Sequence, residues 1–154
     1  MPSLQEQAIK MTKEAINSIF RTARFVPEDK RSGWVPMGEA RSTQDQLVEV
    51  AQVPYFFVPF LTGETPAPTD PEADKSATAA LTTIESAEEA CAKSYEVFYA
   101  AVAGVSDADL ETEVTIPWGK CTKADLIFFP YWNTVYHIGQ INYIQTMLGD
   151  IDMH

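Results

Sequence analysis

Hydrophobic and polar residues recur along this chain with a helical step in four places. Over residues 3–22, Leu4, Ala8, Met11, Ala15 and Ile19 return every three or four positions and predict an amphipathic first helix. The following stretch, FVPEDKRSGWVPMGEA, is dense in proline, glycine and charge and reads as irregular. Ser42 then opens a second helix as its N-cap, with Asp45 in capping-box position. Pro54 and Pro59 are expected to kink that helix, or to break it and let it resume, before it ends near Gly63. Residues 64–75, ETPAPTDPEADK, read as a proline- and acid-rich surface connection.

A third helix is expected over 76–103, where Ile84, Ala87, Cys91, Tyr95, Phe98 and Val102 recur at three- and four-residue steps. Residues 106–120 read as a linker, with a short extended piece at 113–116 and a turn at Pro117, Trp118 and Gly119. Thr122, with Asp125 three residues on, caps a fourth helix that runs to 148 and stops at Gly149, with Pro130 bending its second turn. Four amphipathic helices in so short a chain predict an all-α fold, a four-helix bundle, in one domain spanning 1–154. The long connections at 23–41 and 63–75 permit an order other than simple up-down-up-down.

The fourth helix, WNTVYHIGQINYIQTMLGD, carries polar groups where a core stripe should be apolar. At about 100° per residue, Leu126, Phe129, Asn133, Tyr136, His137, Gln140, Ile144 and Met147 fall within roughly 60° of one another. A buried amide or imidazole without a partner costs a few kcal/mol, so three on one stripe point to a polar pocket between helices. Gly139 fits that picture, since a glycine inside a helix costs about 1 kcal/mol unless packing or a ligand needs the space. Trp118, Trp132, Tyr136 and Tyr143 are candidates for a pocket mouth, although aromatics at helical spacing are more often core.

Composition narrows the function classes. The net charge is −11, and the densest basic region, Arg21 to Arg41, is interrupted by Glu28, Asp29 and Glu39. Nucleic-acid binding draws on a basic footprint, so a nucleic-acid partner is disfavoured. The longest apolar run, 53–61, is short and holds two prolines, and the N-terminus has no apolar signal core. A soluble, cytoplasmic protein without a membrane partner is expected. Cys91 and Cys121 lack metal spacing and read as free thiols. No GxSxG, CxxC or HExxH motif supplies an independent nucleophile or metal site.

Three features, in order, resemble the DinB-like superfamily of four-helix bundles, which includes thiol-dependent transferases and isomerases of low-molecular-weight-thiol metabolism. They are Trp34-Val35-Pro36 ahead of Arg41-Ser42, the helical stretch DQLVEVA from Asp45 to Ala51, and the late motif His137-Ile138-Gly139-Gln140-Ile141-Asn142-Tyr143 followed by Gly149. The resemblance covers nearly the whole chain, and the last motif is its most specific part. Many members of that family bind a divalent metal through three histidines, one from the second helix and two, four residues apart, from the fourth.

Here His137 matches one ligand position, while Asn133 and Glu49 stand at the other two. One imidazole, one carboxylate and one amide suit zinc or nickel poorly; they would hold a harder ion such as manganese weakly. The expected cofactor is therefore a divalent metal that is weakly bound or absent. Glu49 reads equally as a solvated residue or as one at the edge of the interior. His137 reads either as the anchor ligand or as a core histidine bonded to Glu49 or a backbone carbonyl. Gln140 is expected to bridge helices or to touch a substrate.

Two functions follow from the resemblance and its departures. One is a transferase or isomerase working with a small thiol, with His137 as anchor and Glu49 as second ligand or general base. The alternative is a non-catalytic bundle that binds a small ligand or pairs as a homodimer, its metal site decayed. The sequence names neither substrate nor thiol.

Overall fold

A computed structural model of the chain describes residues 1–65, 71–152 and 154. Helix α1 is Leu4–Arg24, α2 is Thr43–Thr62, α3 is Pro71–Ala79, α4 is Ile84–Gly104, α5 is Lys123–Leu126 and α6 is Phe129–Met147. A two-stranded antiparallel hairpin, β1 at Glu113–Ile116 and β2 at Gly119–Thr122, sits between α4 and α5. The molecule is mostly helical, but the hairpin corrects the all-α expectation. The extended piece at 113–116 finds a partner strand because the turn at Pro117 and Trp118 lets Ile116 face Gly119, and Ile116 is buried. The sequence signal for a strand was present at 113–116, whereas GKCT carries little β propensity of its own.

Reciprocal capping boxes open three of the helices that matter for the site. Ser42 Oγ accepts from the Asp45 amide at 3.1 Å, and Asp45 Oδ2 accepts from the Ser42 amide at 3.0 Å. Ser3 with Glu6 and Thr122 with Asp125 repeat the arrangement. Helix α2 passes through Pro54 and Pro59 as one continuous helix, which removes the break-and-resume alternative. Its end is tied down by Gly63, which takes the left-handed conformation at φ +78°, and by Lys123 Nζ, which donates to the Leu61 carbonyl at 2.8 Å.

Two of the expected helices divide. The predicted helix over 76–103 is α3 and α4, because Thr83 caps Ser86 and restarts the chain as α4. Gln44 holds that break by donating to the carbonyls of Leu81 and Thr83 at 2.9 and 3.0 Å. The predicted helix over 122–148 is α5 and α6, separated at Ile127 and Phe128. Pro130 lies in the first turn of α6, where its missing N–H leaves no helical bond unmade. Of the surface connection expected over 64–75, residues 66–70 lie outside the described residues, and α3 begins at Pro71.

The four long helices share one core. Helix α2 packs against α4 and α6, and α1 packs against α6 and α4 from the other side. Ile19, Phe20, Leu47, Val50, Phe98, Ile141 and Ile144 meet at the centre, each side chain contributing about 1.5–3 kcal/mol through burial. Cys91 lies in this core, where burial pushes its thiol up to about 12, so it is not a nucleophile at neutral pH. Among the described residues no helix is long and apolar enough to cross a membrane. The contact of α2 with α6 is the one that builds the site.

Candidate functional site

The buried face of α6 is Pro130, Thr134, His137, Ile141, Ile144 and Gln145. The true stripe is therefore rotated from the one read in the sequence, and Tyr136 and Met147 lie on the exposed side. Asn133 and Gln140 fall at its two edges, half-buried. Wholly buried His137 stands between them, and facing it from α2 are Gln46 and Glu49, one turn apart.

These side chains form one network. His137 Nε2 lies 3.0 Å from Glu49 Oε1 and 3.3 Å from Asn133 Nδ2. Asn133 Nδ2 also donates to Glu49 Oε1 at 3.0 Å. On the other side of the ring, His137 Nδ1 lies 2.8 Å from Gln140 Oε1 and 3.3 Å from Gln46 Oε1. Arg41, just ahead of the Ser42 cap, forms an ion pair with Glu49 through Oε2. Both carboxylate oxygens of Glu49 are thus engaged, and the residue is at the edge of the interior rather than on a solvated face.

Two amide oxygens at Nδ1 favour the neutral tautomer that carries its proton there, against the pull of the Glu49 carboxylate at Nε2. Its Nε2 lone pair then accepts from Asn133. Burial pushes the imidazole pKa below its ordinary value of 6.5; the bond to Gln140 opposes this, and the Arg41 charge adds to the lowering. The Glu49 carboxylate pulls upward at 3.0 Å, but Arg41 compensates its charge. We therefore expect His137 to be neutral at pH 7.

The consequence for stability has a definite sign. A histidine whose folded pKa lies below its unfolded value of about 6.5 binds fewer protons when folded. Its contribution is fully present above pH 6.5 and is lost as the pH falls from there through the folded pKa. Nitrogen-15 NMR of the two ring systems, His137 and His154, tests this: His137 is expected to titrate below 6.5 with the Nδ1–H tautomer above its midpoint. A midpoint above 6.5 would contradict the assignment.

A cleft of about 730 Å³ opens above the network, between α2, α6 and the 36–41 segment. Arg41, Gln46, Glu49, Tyr136, Gln140 and Tyr143 are prominent in its wall. Gly139 borders it too; a Cβ there would meet nothing within 4 Å, so packing does not require this glycine. Trp132 lies elsewhere, with its ring against Phe129 in an aromatic cluster that continues through Phe57, Phe56 and Trp118. Gln46 and Arg41 escaped the sequence reading as site residues. Gln46 lies three positions before Glu49, a spacing that places both on one helical face, and Arg41 was read only as a marker of the helix start.

A divalent metal, as the family resemblance implies, fits these residues poorly. The amide of Asn133 turns its NH₂, which is not a metal ligand, toward the centre. Its Oδ1 is left buried without a hydrogen-bond partner. Leaving a carbonyl unpaired costs about 1–3 kcal/mol, a cost offset here by two donated bonds to an acceptor-rich centre. Glu49 is already neutralised by Arg41, whose fixed positive charge opposes a second cation. Among the described residues no three histidine, cysteine or carboxylate side chains converge as a metal-ligand group.

No family model matches this sequence, and no curated protein sequence matches it. In shape the chain is similar to the crystal structure of the mycothiol-dependent maleylpyruvate isomerase, with a TM-score of 0.68 and 15% identity over 92% of this chain and 63% of that one. It is similar to a point mutant of the same enzyme at a TM-score of 0.65, again with 15% identity and the same shares. The chain thus spans less than two thirds of that enzyme's length. At this identity the likeness establishes the fold: a mostly helical architecture shared with a thiol-dependent isomerase.

Proposed function

We propose that this chain is a single-domain, DinB-like helical bundle that takes a low-molecular-weight thiol into the cleft between α2, α6 and the 36–41 segment. We propose further that it works without a resident metal, as a thiol-dependent transferase or isomerase. The observation that carries this reading is the Arg41–Glu49 ion pair in the cleft wall, backed by His137. A thiol needs a proton acceptor and a cation near its sulfur to become a thiolate at neutral pH. The pair supplies both. The thiol S–H proton passes to Glu49 Oε2, and the Arg41 guanidinium, released from the neutralised carboxyl, pairs with the thiolate. Net charge is conserved in that exchange. Asn133 Nδ2 donates to Glu49 Oε1 and so keeps the carboxyl aimed at the cleft.

A non-catalytic ligand-binding bundle is the second reading, and one observation favours it: both oxygens of Glu49 are already engaged. The two are separated by titrating protein treated with a chelator with glutathione and N-acetylcysteine, each against its S-methyl counterpart. Thiols are expected to shift the backbone amides of Arg41, Glu49 and Gln140 saturably and to show thiolate absorbance on binding. Binding without thiolate favours the second reading. No shift at the cleft, or a shift only after zinc is added, would overturn the proposal.

A further inference from the structure

Three buried glutamines spend their NH₂ groups on main-chain carbonyls, Gln5 on the Asp107 carboxylate as well. Gln5 donates to Val105 at 2.9 Å, Gln44 to Leu81 and Thr83 at 2.9 and 3.0 Å, and Gln145 to Thr22 at 2.8 Å. Gln46 and Gln140 depart from that pattern. Their oxygens both turn to His137 Nδ1, at 3.3 and 2.8 Å. The geometry of a carboxamide then sends both NH₂ groups away from the imidazole. Neither NH₂ has a hydrogen-bond partner among the described residues, and both side chains line the cleft. Gln46 is only 2% exposed, and it borders the cleft.

We infer that the NH₂ groups of Gln46 and Gln140 form a two-donor seat for one carbonyl-type oxygen of a molecule in the cleft. Both NH₂ groups stay open to water in the cleft, and an acceptor oxygen replaces that water on binding. The seat is held rigidly, because His137 donates to both glutamine oxygens and is itself packed on every side. Donation from Nδ1–H to these oxygens also polarises the two amides and strengthens their N–H groups as donors. Arg41 stands in the same wall with one nitrogen on Glu49, adding donors beside the seat. The ligand class is therefore a small amide, ketone or carboxylic acid. A ligand whose only polar head is an ammonium would meet these donors with more donors. The inference rests on the cleft being the ligand site proposed above, and not on the thiol.

Benzamide, benzoate and benzylamine share one ring and differ only in the head group, which makes them suitable probes. Titrated into nitrogen-15-labelled protein, benzamide or benzoate is expected to shift the side-chain NH₂ signals of Gln46 and Gln140 saturably. The stronger of the two separates a neutral carbonyl from a carboxylate. Benzylamine is expected to leave both signals in place. Gln46→Glu and Gln140→Glu keep an oxygen for His137 Nδ1–H while removing the NH₂, and each should weaken binding at least tenfold. Those variants also assign the signals. Binding of benzylamine alone, absence of any shift, or undiminished affinity in folded variants would overturn the inference. If a variant does not fold, the wild-type titration decides. No thiol enters this experiment, so it can fail while the thiol proposal stands, and the reverse.

Discussion

The double substitution Glu49→His with Asn133→His is expected to bind zinc at least about 100-fold more tightly than the wild type, a difference of about 2.7 kcal/mol. In the wild-type structure Glu49 Oε1, Asn133 Nδ2 and His137 Nε2 lie 3.0, 3.0 and 3.3 Å from one another. Ligand atoms around a tetrahedral zinc with bonds of about 2.0–2.1 Å are about 3.3 Å apart. Side-chain atoms from these three positions therefore already meet at zinc-site spacing. Two added imidazoles would supply neutral nitrogen donors, and Arg41, exposed over half its side chain, would turn to water once its carboxylate is gone. Free zinc at about 100 times its dissociation constant stabilises the fold by about 2.7 kcal/mol, or roughly 5–10 °C in Tm for a chain of this size. Calorimetry and thermal melts measure both. A double mutant that gains no affinity would show that positions 49 and 133 are not the ligand positions.

His137→Ala is expected to lower the unfolding free energy by roughly 3 kcal/mol, measured by urea denaturation. The imidazole is wholly buried, so its removal leaves a cavity between α2 and α6. It also strips a partner from Asn133 Nδ2, Gln46 Oε1 and Gln140 Oε1. The glutamines border the cleft and recover part of the loss from water; Asn133 already carries one unpaired oxygen and recovers least. Met147→Ala, on the exposed side of the same helix, serves as a control and should change stability by less than about 0.5 kcal/mol. A loss below about 1 kcal/mol for His137→Ala would mean that the network contributes little to the fold.

Helix existence was legible where sequence pattern and local chemistry agreed. Leu4 to Ile19 showed an apolar stripe, and Ser42 with Asp45 announced α2. Two helix breaks were hidden because periodicity ran across them. Thr83 and Ser86 are a weak capping pair by sequence, and the break they make is held by Gln44 from α2, a partner 39 residues from Thr83. At Phe128, Pro130 looked like a bend inside one helix, whereas it begins a new one. The rotation of α6 has a similar origin: Thr134 is buried because its hydroxyl bonds the Pro130 carbonyl at 2.7 Å, a satisfaction that a polarity scale does not see. For the site, an amide and an imidazole four apart on an apolar helix exposed the polar centre, but not its closure. Gln46 and Arg41 belong to it through pairings across 91 and eight positions, which a single chain read residue by residue does not reveal.

In place of a metal, an Arg41–Glu49–His137–Asn133 network is proposed to hold the centre. It is tested most directly on wild-type protein purified without an affinity tag, by elemental analysis followed by zinc, nickel and manganese titration calorimetry. Substoichiometric metal as isolated and weak or undetectable binding of all three ions are expected. One equivalent of tightly held metal would contradict this, and would require Asn133 to turn its oxygen inward and Arg41 to leave Glu49.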